Sequence, residues 1–160
     1  FEAHSTDYQT ATGLAALVEN GFAILKVGPW LTFALREALY GLDAVADVLE
    51  GHPPRGGLMA RMDEVMQAAP DSWAKYYEGS ESELWLQRHF SYSDRIRYYW
   101  PATAAEEAVA RLLARLEGRP IPEPVLQQFL AEAPAGVGAR EILIAAVQKV
   151  LRVYATACAG

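Results

Sequence analysis

The feature that decides the fold is a short apolar run near the start of the chain, Gly21-Phe22-Ala23-Ile24-Leu25-Lys26-Val27-Gly28-Pro29. An apolar run bounded by glycine and Gly-Pro is typical of a strand buried on both faces, as in a parallel sheet. Residues 1–5 resemble the end of another strand. Between them, Thr10 or Thr12 can cap a helix over 11–19. A second helix is predicted over 31–49, so the pattern is a βαβα unit with parallel strands.

The rest of the chain reads as helices. After a turn-rich joint at 51–57, apolar spacing and prolines predict seven helices, over 58–68, 71–77, 81–90, 93–99, 104–117, 123–131 and 139–158. Two parallel strands do not make a stable sheet alone, and the chain begins with Phe1 instead of Met, so we expect a piece of a longer α/β protein. We predict a mainly α chain in which residues 1–50 end that structure and residues 51–160 form a helical subdomain.

Composition narrows the class of protein. The chain has a net charge of −6, a pI of about 5.1 and no run of Lys or Arg, which argues against nucleic acid as a partner. We find no apolar stretch near the roughly 20 residues that span a bilayer, so no membrane partner is expected. The single Cys158 fits a reducing compartment. The expectation is a soluble cytoplasmic protein.

Polar side chains follow both predicted strands, at the edge where ligands gather in parallel α/β folds. His4 is a candidate metal ligand or proton carrier, or simply a hydrogen-bonded histidine at a strand end. Asp7 is a candidate catalytic residue or a helix cap. Lys26, the other catalytic candidate, is suited to contact an anion or form a Schiff base, or to form a buried ion pair with a carboxylate. Ser5 and Gly28 join Lys26 as candidate substrate-binding residues.

Nine of the 17 aromatic residues lie between Trp73 and Trp100, with arginines among them. Such a mixture is typical of a protein interface, because Trp, Tyr and Arg are enriched there. The candidate interface residues are Trp85, Arg95, Arg97, Tyr98, Tyr99 and Trp100. The alternative is the core of a small helical subdomain, with Asp94 paired to Arg97. Both interpretations stay open. Farther along the chain, Arg111 and Arg115 are predicted on the solvated face of the 104–117 helix.

Three blocks of sequence resemble one family. They are EAHSTDYQT at 2–10, FAILKVGP at 22–29 with LTFALREAL at 31–39, and YSDRIRYYWP at 92–101. In this order they are similar to the C-terminal part of the Z subunit of class II D-tagatose-1,6-bisphosphate aldolase, a family that also carries a tagatose-6-phosphate kinase label. The resemblance implies a (β/α)8 TIM barrel related to zinc-dependent aldolases. Residues 1–50 would be its last βαβα unit and residues 51–160 its C-terminal helical subdomain.

The resemblance also carries expectations about the site. His4 takes the place of a zinc-ligating histidine of the catalytic class II aldolases, so zinc is the cofactor to consider for the full-length barrel, with further ligands from upstream of Phe1. Ser5-Thr6-Asp7 stands where those enzymes have a glycine-rich phosphate loop, and Lys26-Val27 leads to Gly28-Pro29 where they have Lys-Val-Asn. Both departures weaken the case for phosphate binding at these positions.

The function that the resemblance implies is an accessory, non-catalytic subunit. It would support the activity and stability of the catalytic Y subunit in galactitol or N-acetylgalactosamine-type carbohydrate catabolism. The alternative is a metal-dependent, aldolase-like lyase that binds a phosphorylated ketose at its own barrel end. The sequence has no Gly-x-x-x-x-Gly-Lys motif that would support the kinase label. A bare helical interaction module is a third hypothesis.

Overall fold

A computed structural model describes residues 1–159 as a mainly helical chain with one pair of parallel strands. The elements in chain order are β1 (Glu2–Ala3), α1 (Ala11–Glu19), β2 (Ile24–Leu25), α2 (Pro29–Leu49), α3 (Gly57–Ala68), a first 3₁₀ helix (Pro70–Ser72), α4 (Glu81–Phe90), a second 3₁₀ helix (Arg95–Tyr98), α5 (Thr103–Leu116), α6 (Glu123–Phe129) and α7 (Ala139–Ala159). The predicted mainly α class and the βαβα order of the first 50 residues are confirmed.

The two strands are shorter than the sequence pattern predicted. They pair in parallel over two positions only, with Glu2 opposite Ile24 and Ala3 opposite Leu25. Burial of this strand on both faces stays a prediction, and within residues 1–159 Ile24 is 56% exposed. The physical reason is that a parallel ladder becomes regular and buried when further strands and helices cover it, and the described chain supplies one neighbour to each strand.

Local capping sets the helix boundaries that were predicted best. The Thr10 side chain accepts a hydrogen bond from the amide of Gly13 at the start of α1. Ser80 and Glu83 form a reciprocal capping box at the start of α4. Both helices have the bounds that the sequence predicted, because these side chains satisfy the first free amides of the helix from within a few residues.

The helices predicted over 71–77 and 93–99 are wrong, because each contains a short 3₁₀ helix and turns. In both segments, buried aromatic side chains decide the course of the backbone. Trp73 is buried and its Nε1 donates to the carbonyl of Met66 at 2.7 Å. Tyr99 is buried in the same core. Packing of these large side chains overrides the helical periodicity of segments this short.

Two hydrophobic cores share two long helices. The larger core packs α2, α3, α5 and α6 around the buried side chains of Met62, Met66 and Ile96. The smaller core surrounds Leu14 and Tyr154, between α1, the start of α2 and the C-terminal half of α7. Since α2 and α7 contribute to both cores, the two parts of the chain are joined by continuous helices. The division at residue 50 remains a prediction.

Helix α7 contradicts the expectation that the chain has no apolar stretch near the length that spans a bilayer. It has 21 residues and is long and apolar enough, by length and composition, to cross a membrane. One face packs against α1 and α2 through Val150, Tyr154 and Ala157, which are buried. Ile144 and Leu151 remain exposed on another side of the helix. Part of its apolar character is therefore explained by the smaller core.

Candidate functional site

The carboxyl ends of β1 and β2 lie side by side, and the loop after β1 crosses over the end of β2. Thr6 is the buried anchor of this loop. Its hydroxyl donates to the carbonyl of Lys26 at 2.8 Å and lies 3.0 Å from the hydroxyl of Tyr154 on α7. The loop is thus tied to β2 and to the smaller core, and the predicted polar edge is formed.

Asp7 caps the helix that follows β2. Its Oδ1 atom accepts the amide protons of Gly28 at 2.8 Å and Trp30 at 2.9 Å. Helix α2 has no cap from the side chain of its own N-cap residue, because that residue is Gly28. The Asp7 carboxylate supplies the missing acceptor and places negative charge at a helix N-terminus, where it is stabilising. The capping alternative is therefore present in the structure, and a catalytic role for Asp7 stays a prediction.

Gly28 permits this close approach. A β carbon at residue 28 would lie 3.2 Å from Oδ2 of Asp7, which is tighter than an ordinary contact. The Gly28 amide is bound by Asp7. The group that approaches the backbone at Gly28 in the structure is thus a side chain of the protein itself, and Gly28 as a substrate-binding residue stays a prediction.

His4 and Lys26 meet at a carboxylate that the sequence analysis missed. The Nε2 atom of His4 lies 2.9 Å from Oε1 of Glu2, and Nζ of Lys26 lies 3.8 Å from the same oxygen. The His4 and Lys26 side chains are 64% and 59% exposed, so this is a surface cluster, not a buried ion pair. Strand register explains it, because residues at the ends of neighbouring parallel strands lie side by side. In this surface cluster, the side chains of Glu2, His4 and Lys26 are accessible for proton transfer or anion binding.

The fit of zinc can be judged from the same cluster. His4 and Glu2 offer two ligand types that zinc accepts, and a zinc site needs at least three protein ligands. Within residues 1–159, no group of three His, Cys, Asp or Glu side chains has the geometry to hold a metal. His4 as a zinc ligand therefore stays a prediction that depends on residues outside this chain. Ser5, the remaining candidate, is exposed beside this cluster.

Tyr8 holds the strand-end loop against the helical region. Its backbone φ of +61° is unusual for a residue with a side chain, and Ser5 in the same loop has a φ of +55°. The Tyr8 hydroxyl donates to the carbonyl of Tyr92 at 2.8 Å, and the two ring centroids are 4.4 Å apart. Burial raises the pKa of Tyr8, so this phenol stays a donor. Tyr8 is not among the predicted site residues, because its partner lies 84 residues away.

The predicted interface residues divide into exposed and buried ones. Tyr98 is 53% exposed and Trp85 is 37% exposed, whereas Trp100 is half-buried against the larger core. Tyr99 is 6% exposed and belongs to that core, so its prediction as an interface residue is wrong. Arg95 and Arg97 are half-buried beside exposed tyrosine rings. The region therefore serves partly as core, and its exposed residues stay a predicted interface.

A buried ion pair differs from the one that the sequence predicted. Asp94 binds Arg36 of α2, with Oδ1 at 2.9 Å from Nε, and both side chains are almost fully buried. Arg97 donates to the main-chain carbonyl of Asp94, so the predicted Asp94–Arg97 side-chain pair is wrong. The i, i+3 spacing predicts this pair only on a regular helix, whereas Asp94 adopts a left-handed conformation before the 3₁₀ helix. The pair fixes the aromatic segment to α2.

The fold and the site together define the class of protein. It is a mainly helical chain in which two parallel strands carry a polar cluster at their carboxyl ends. A family model described as D-tagatose-1,6-bisphosphate aldolase subunit GatZ/KbaZ-like matches residues 1–159. The chain therefore belongs to the GatZ/KbaZ-like family of D-tagatose-1,6-bisphosphate aldolase subunits. This confirms the resemblance stated from the three sequence blocks.

Two similar proteins are more than twice as long as this chain. It is 52% identical over 158 residues to a D-tagatose 6-phosphate 4-epimerase of Agrobacterium fabrum, covering 96% of this chain and 37% of that protein. The structure is similar to a crystal structure of a probable tagatose 6 phosphate kinase from Sinorhizobium meliloti, with a TM-score of 0.91 and 53% identity, over 99% of this chain and 43% of that one. The chain thus spans less than half the length of both relatives.

Proposed function

We propose that the chain is the C-terminal part of an accessory, non-catalytic subunit of a tagatose-1,6-bisphosphate aldolase in the cytoplasm. Residues 1–50 would supply the last βαβα unit of a (β/α)8 barrel, and residues 51–160 a helical subdomain that binds and stabilises the catalytic subunit. Membership of an aldolase subunit family supports this role.

The single observation that favours an accessory role is that the polar groups at the strand ends are hydrogen-bonded to the protein itself. In a phosphate-binding barrel end, backbone amides at a helix N-terminus are free to bind the substrate. Here the amides of Gly28 and Trp30 are bound by Asp7. The Thr6 hydroxyl is likewise engaged by protein atoms. A loop whose polar groups bind the protein itself is suited to hold structure, which is what an accessory barrel requires.

The experiment uses the full-length protein and a catalytic tagatose-bisphosphate aldolase subunit. We expect the two proteins to co-purify, and we expect the aldolase to gain activity and thermal stability when the full-length protein is added. Absence of co-purification together with unchanged aldolase activity and melting temperature would contradict the accessory role. An unrelated TIM-barrel protein of similar size is the control for non-specific stabilisation.

A second candidate function rests on the relative in Agrobacterium fabrum. That protein is a D-tagatose 6-phosphate 4-epimerase, and the identity of 52% extends over nearly all of this chain. The full-length protein would then be an enzyme that acts on a phosphorylated ketose at its own barrel end. His4, Glu2 and Lys26 would stand at the edge of that site, with Lys26 contacting an anionic oxygen of the substrate. Zinc would require ligands from the other strands.

One pair of assays separates the two functions. The full-length protein is incubated alone with D-tagatose 6-phosphate, and the formation of an epimer is followed by NMR. Turnover that falls sharply in Lys26→Ala, with the fold retained, supports the enzyme. Lack of turnover, together with activation of a catalytic subunit, supports the accessory role. Glu19→Ala is a matched control, since Glu19 is an exposed residue of α1 away from the strand ends.

A further inference from the structure

The second 3₁₀ helix presents a charged and aromatic surface that the strand-end site does not use. In a 3₁₀ helix, residues three apart lie on the same side. Ile96 and Tyr99 are both buried in the larger core. Arg95 and Tyr98 share another side of this helix, and Tyr98 is exposed. The core therefore fixes the direction in which this surface faces.

A second segment completes the surface. Tyr76, 52% exposed, follows the first 3₁₀ helix, and the guanidinium of Arg95 lies 3.1 Å from the centroid of its ring. Arg97 lies over the ring of Tyr98 at 4.4 Å and donates to its hydroxyl. Lys75 lies 5.1 Å from the ring centroid of Tyr76. We call Lys75, Tyr76, Arg95, Arg97 and Tyr98 the basic–aromatic patch.

The charge of this patch is unbalanced. Of the 14 lysines and arginines, eight form ion pairs with carboxylates within residues 1–159, and Lys75, Arg95 and Arg97 are among those that do not. Hydrogen bonding from Lys75 and the charge of Arg95 lower the pKa of Tyr76, as expected in a positive field. The chain as a whole has a net charge of −6. What distinguishes the patch is that three such cations lie together on exposed tyrosine rings, which makes it electrostatically complementary to an anionic partner.

The geometry favours a protein as that partner. Arg97 already donates to two main-chain carbonyls and to the hydroxyl of Tyr98. Arg95 is stacked on the ring of Tyr76, and the N–H edge of a stacked guanidinium can match a carboxylate with two parallel hydrogen bonds. Tyrosine and arginine are also enriched among the residues that anchor protein interfaces, and tyrosine buries a large area with little loss of side-chain freedom. We infer that the basic–aromatic patch is a docking surface for an Asp- or Glu-rich surface of a protein partner. This rests on the proposed accessory function and takes the catalytic aldolase subunit as that partner.

The test measures binding of the catalytic aldolase subunit to the full-length protein at several salt concentrations. We expect the double substitution Arg95→Glu and Arg97→Glu to weaken binding by about tenfold or more, and to reduce its salt dependence, because it replaces attraction by repulsion. The matched control is Arg119→Glu with Arg140→Glu. These residues also make no ion pair within residues 1–159, and they line a groove between the end of α5 and the start of α7. The control should bind as the unsubstituted protein does.

A milder variant covers the case in which the double substitution fails to fold. Lys75→Glu changes an exposed side chain that holds no part of the core, so it should fold and still weaken binding severalfold. Binding that is unchanged in both patch variants overturns the docking surface while leaving the accessory function intact. Absence of binding by the unsubstituted protein overturns both. If the variants instead abolish self-association or the binding of inorganic phosphate, with subunit binding unchanged, the inference is also overturned.

Discussion

The Oδ1 atom of Asp7 lies 2.8 Å from the amide nitrogen of Gly28, so a carboxylate in the loop after β1 caps the helix that follows β2. This contact joins the carboxyl ends of two neighbouring strands. It depends on the absence of a side chain at Gly28, where a β carbon would approach Asp7 closely. The two residues therefore form one structural unit at the edge where ligands gather in parallel folds.

Removing the Asp7 carboxylate is expected to destabilise this edge. Asp7→Ala leaves the amides of Gly28 and Trp30 without their acceptor, and loss of an N-terminal cap costs about 1 kcal/mol, with a range of about 0.5–2. Urea unfolding of the full-length protein measures this loss. The control Glu19→Ala removes an exposed acidic residue of α1. A loss no larger than that of the control would contradict the capping role.

Arg115 connects α5 to the C-terminal end of α2. Its guanidinium binds Asp43, Asp47 and Glu50, and the first two side chains are buried. Arg115→Met would remove the partner that these three carboxylates share and would leave them with weaker contacts, to Arg55 and to the amide of Leu58. Removing one partner of a buried pair costs about 3–5 kcal/mol, and the partial exposure of Arg115 brings our expectation to the lower end.

Arg111→Met is the matched control for this substitution, one turn earlier on the same helix. Arg111 and its partner Glu107 are both more than half exposed, so their ion pair contributes little. Chemical unfolding of both variants gives the comparison. Equal stability of Arg115→Met and Arg111→Met would show that the cluster does not hold α5 to α2.

Gly41 lies in α2 against Leu130. Alanine normally stabilises a helix relative to glycine by about 1 kcal/mol. At this position, however, a β carbon would lie 2.5 Å from Cδ2 of Leu130, and overpacking of this kind costs about 1–3 kcal/mol. We therefore expect Gly41→Ala to lower the melting temperature.

A second background tests the cause. In a Leu130→Ala protein the space is vacated, so adding Gly41→Ala should stabilise it relative to Leu130→Ala alone. Gly57→Ala is a control in α3, because its nearest neighbour would lie at an ordinary distance of 4.0 Å. If Gly41→Ala were equally harmful in both backgrounds, the clash with Leu130 would not be the reason.

His89 is expected to make stability depend on pH. It is buried, with Nδ1 2.8 Å from the hydroxyl of Tyr40 and Nε2 3.3 Å from Asp63, and burial lowers its pKa from 6.5 to about 4. Between these values the unfolded chain binds a proton that the folded protein excludes. The free energy of unfolding therefore keeps its maximum contribution from this residue above pH 6.5. It decreases by about 3 kcal/mol as the pH is lowered from 6.5 to 4.

Urea unfolding at a series of pH values measures this slope. In His89→Gln the absolute stability will also change, but the slope between pH 6.5 and 4 should become flatter because the titrating group is gone. His52→Asn replaces an exposed histidine and should keep the original slope. A slope in His89→Gln equal to that of the unsubstituted protein would contradict the assignment.

Local signals predicted those parts of the fold that depend on near neighbours in sequence. Thr10 and the pair Ser80 and Glu83 lie within three residues of the amides that they bind, so the bounds of α1 and α4 could be read directly. The end of α2 at Leu49 was also predicted, whereas its start at Pro29 lies two residues before the predicted start at residue 31. The two 3₁₀ helices were missed because buried aromatic rings, and not helical spacing, direct those segments.

The polar edge was predicted only in part. His4, Asp7 and Lys26 could be selected, because polar residues follow a strand pattern. Glu2, which pairs with both His4 and Lys26, lies at a strand position that polarity alone does not distinguish. Arg115 was predicted on the solvated face of its helix, and that prediction is wrong because its partners lie about 65 to 72 residues earlier in the chain.

The sequence by itself determined the mainly helical class, the order of strands and helices, and the family, because these depend on periodicity, capping and long blocks of similar residues. Tertiary structure alone decided which groups are free to act. It assigned Asp7 to the amides of α2, buried Tyr99 in the core, and gathered Tyr76 with Arg95 into one patch. Contacts between residues distant in the chain arise from packing, and a linear pattern does not encode which side of a segment the core will take.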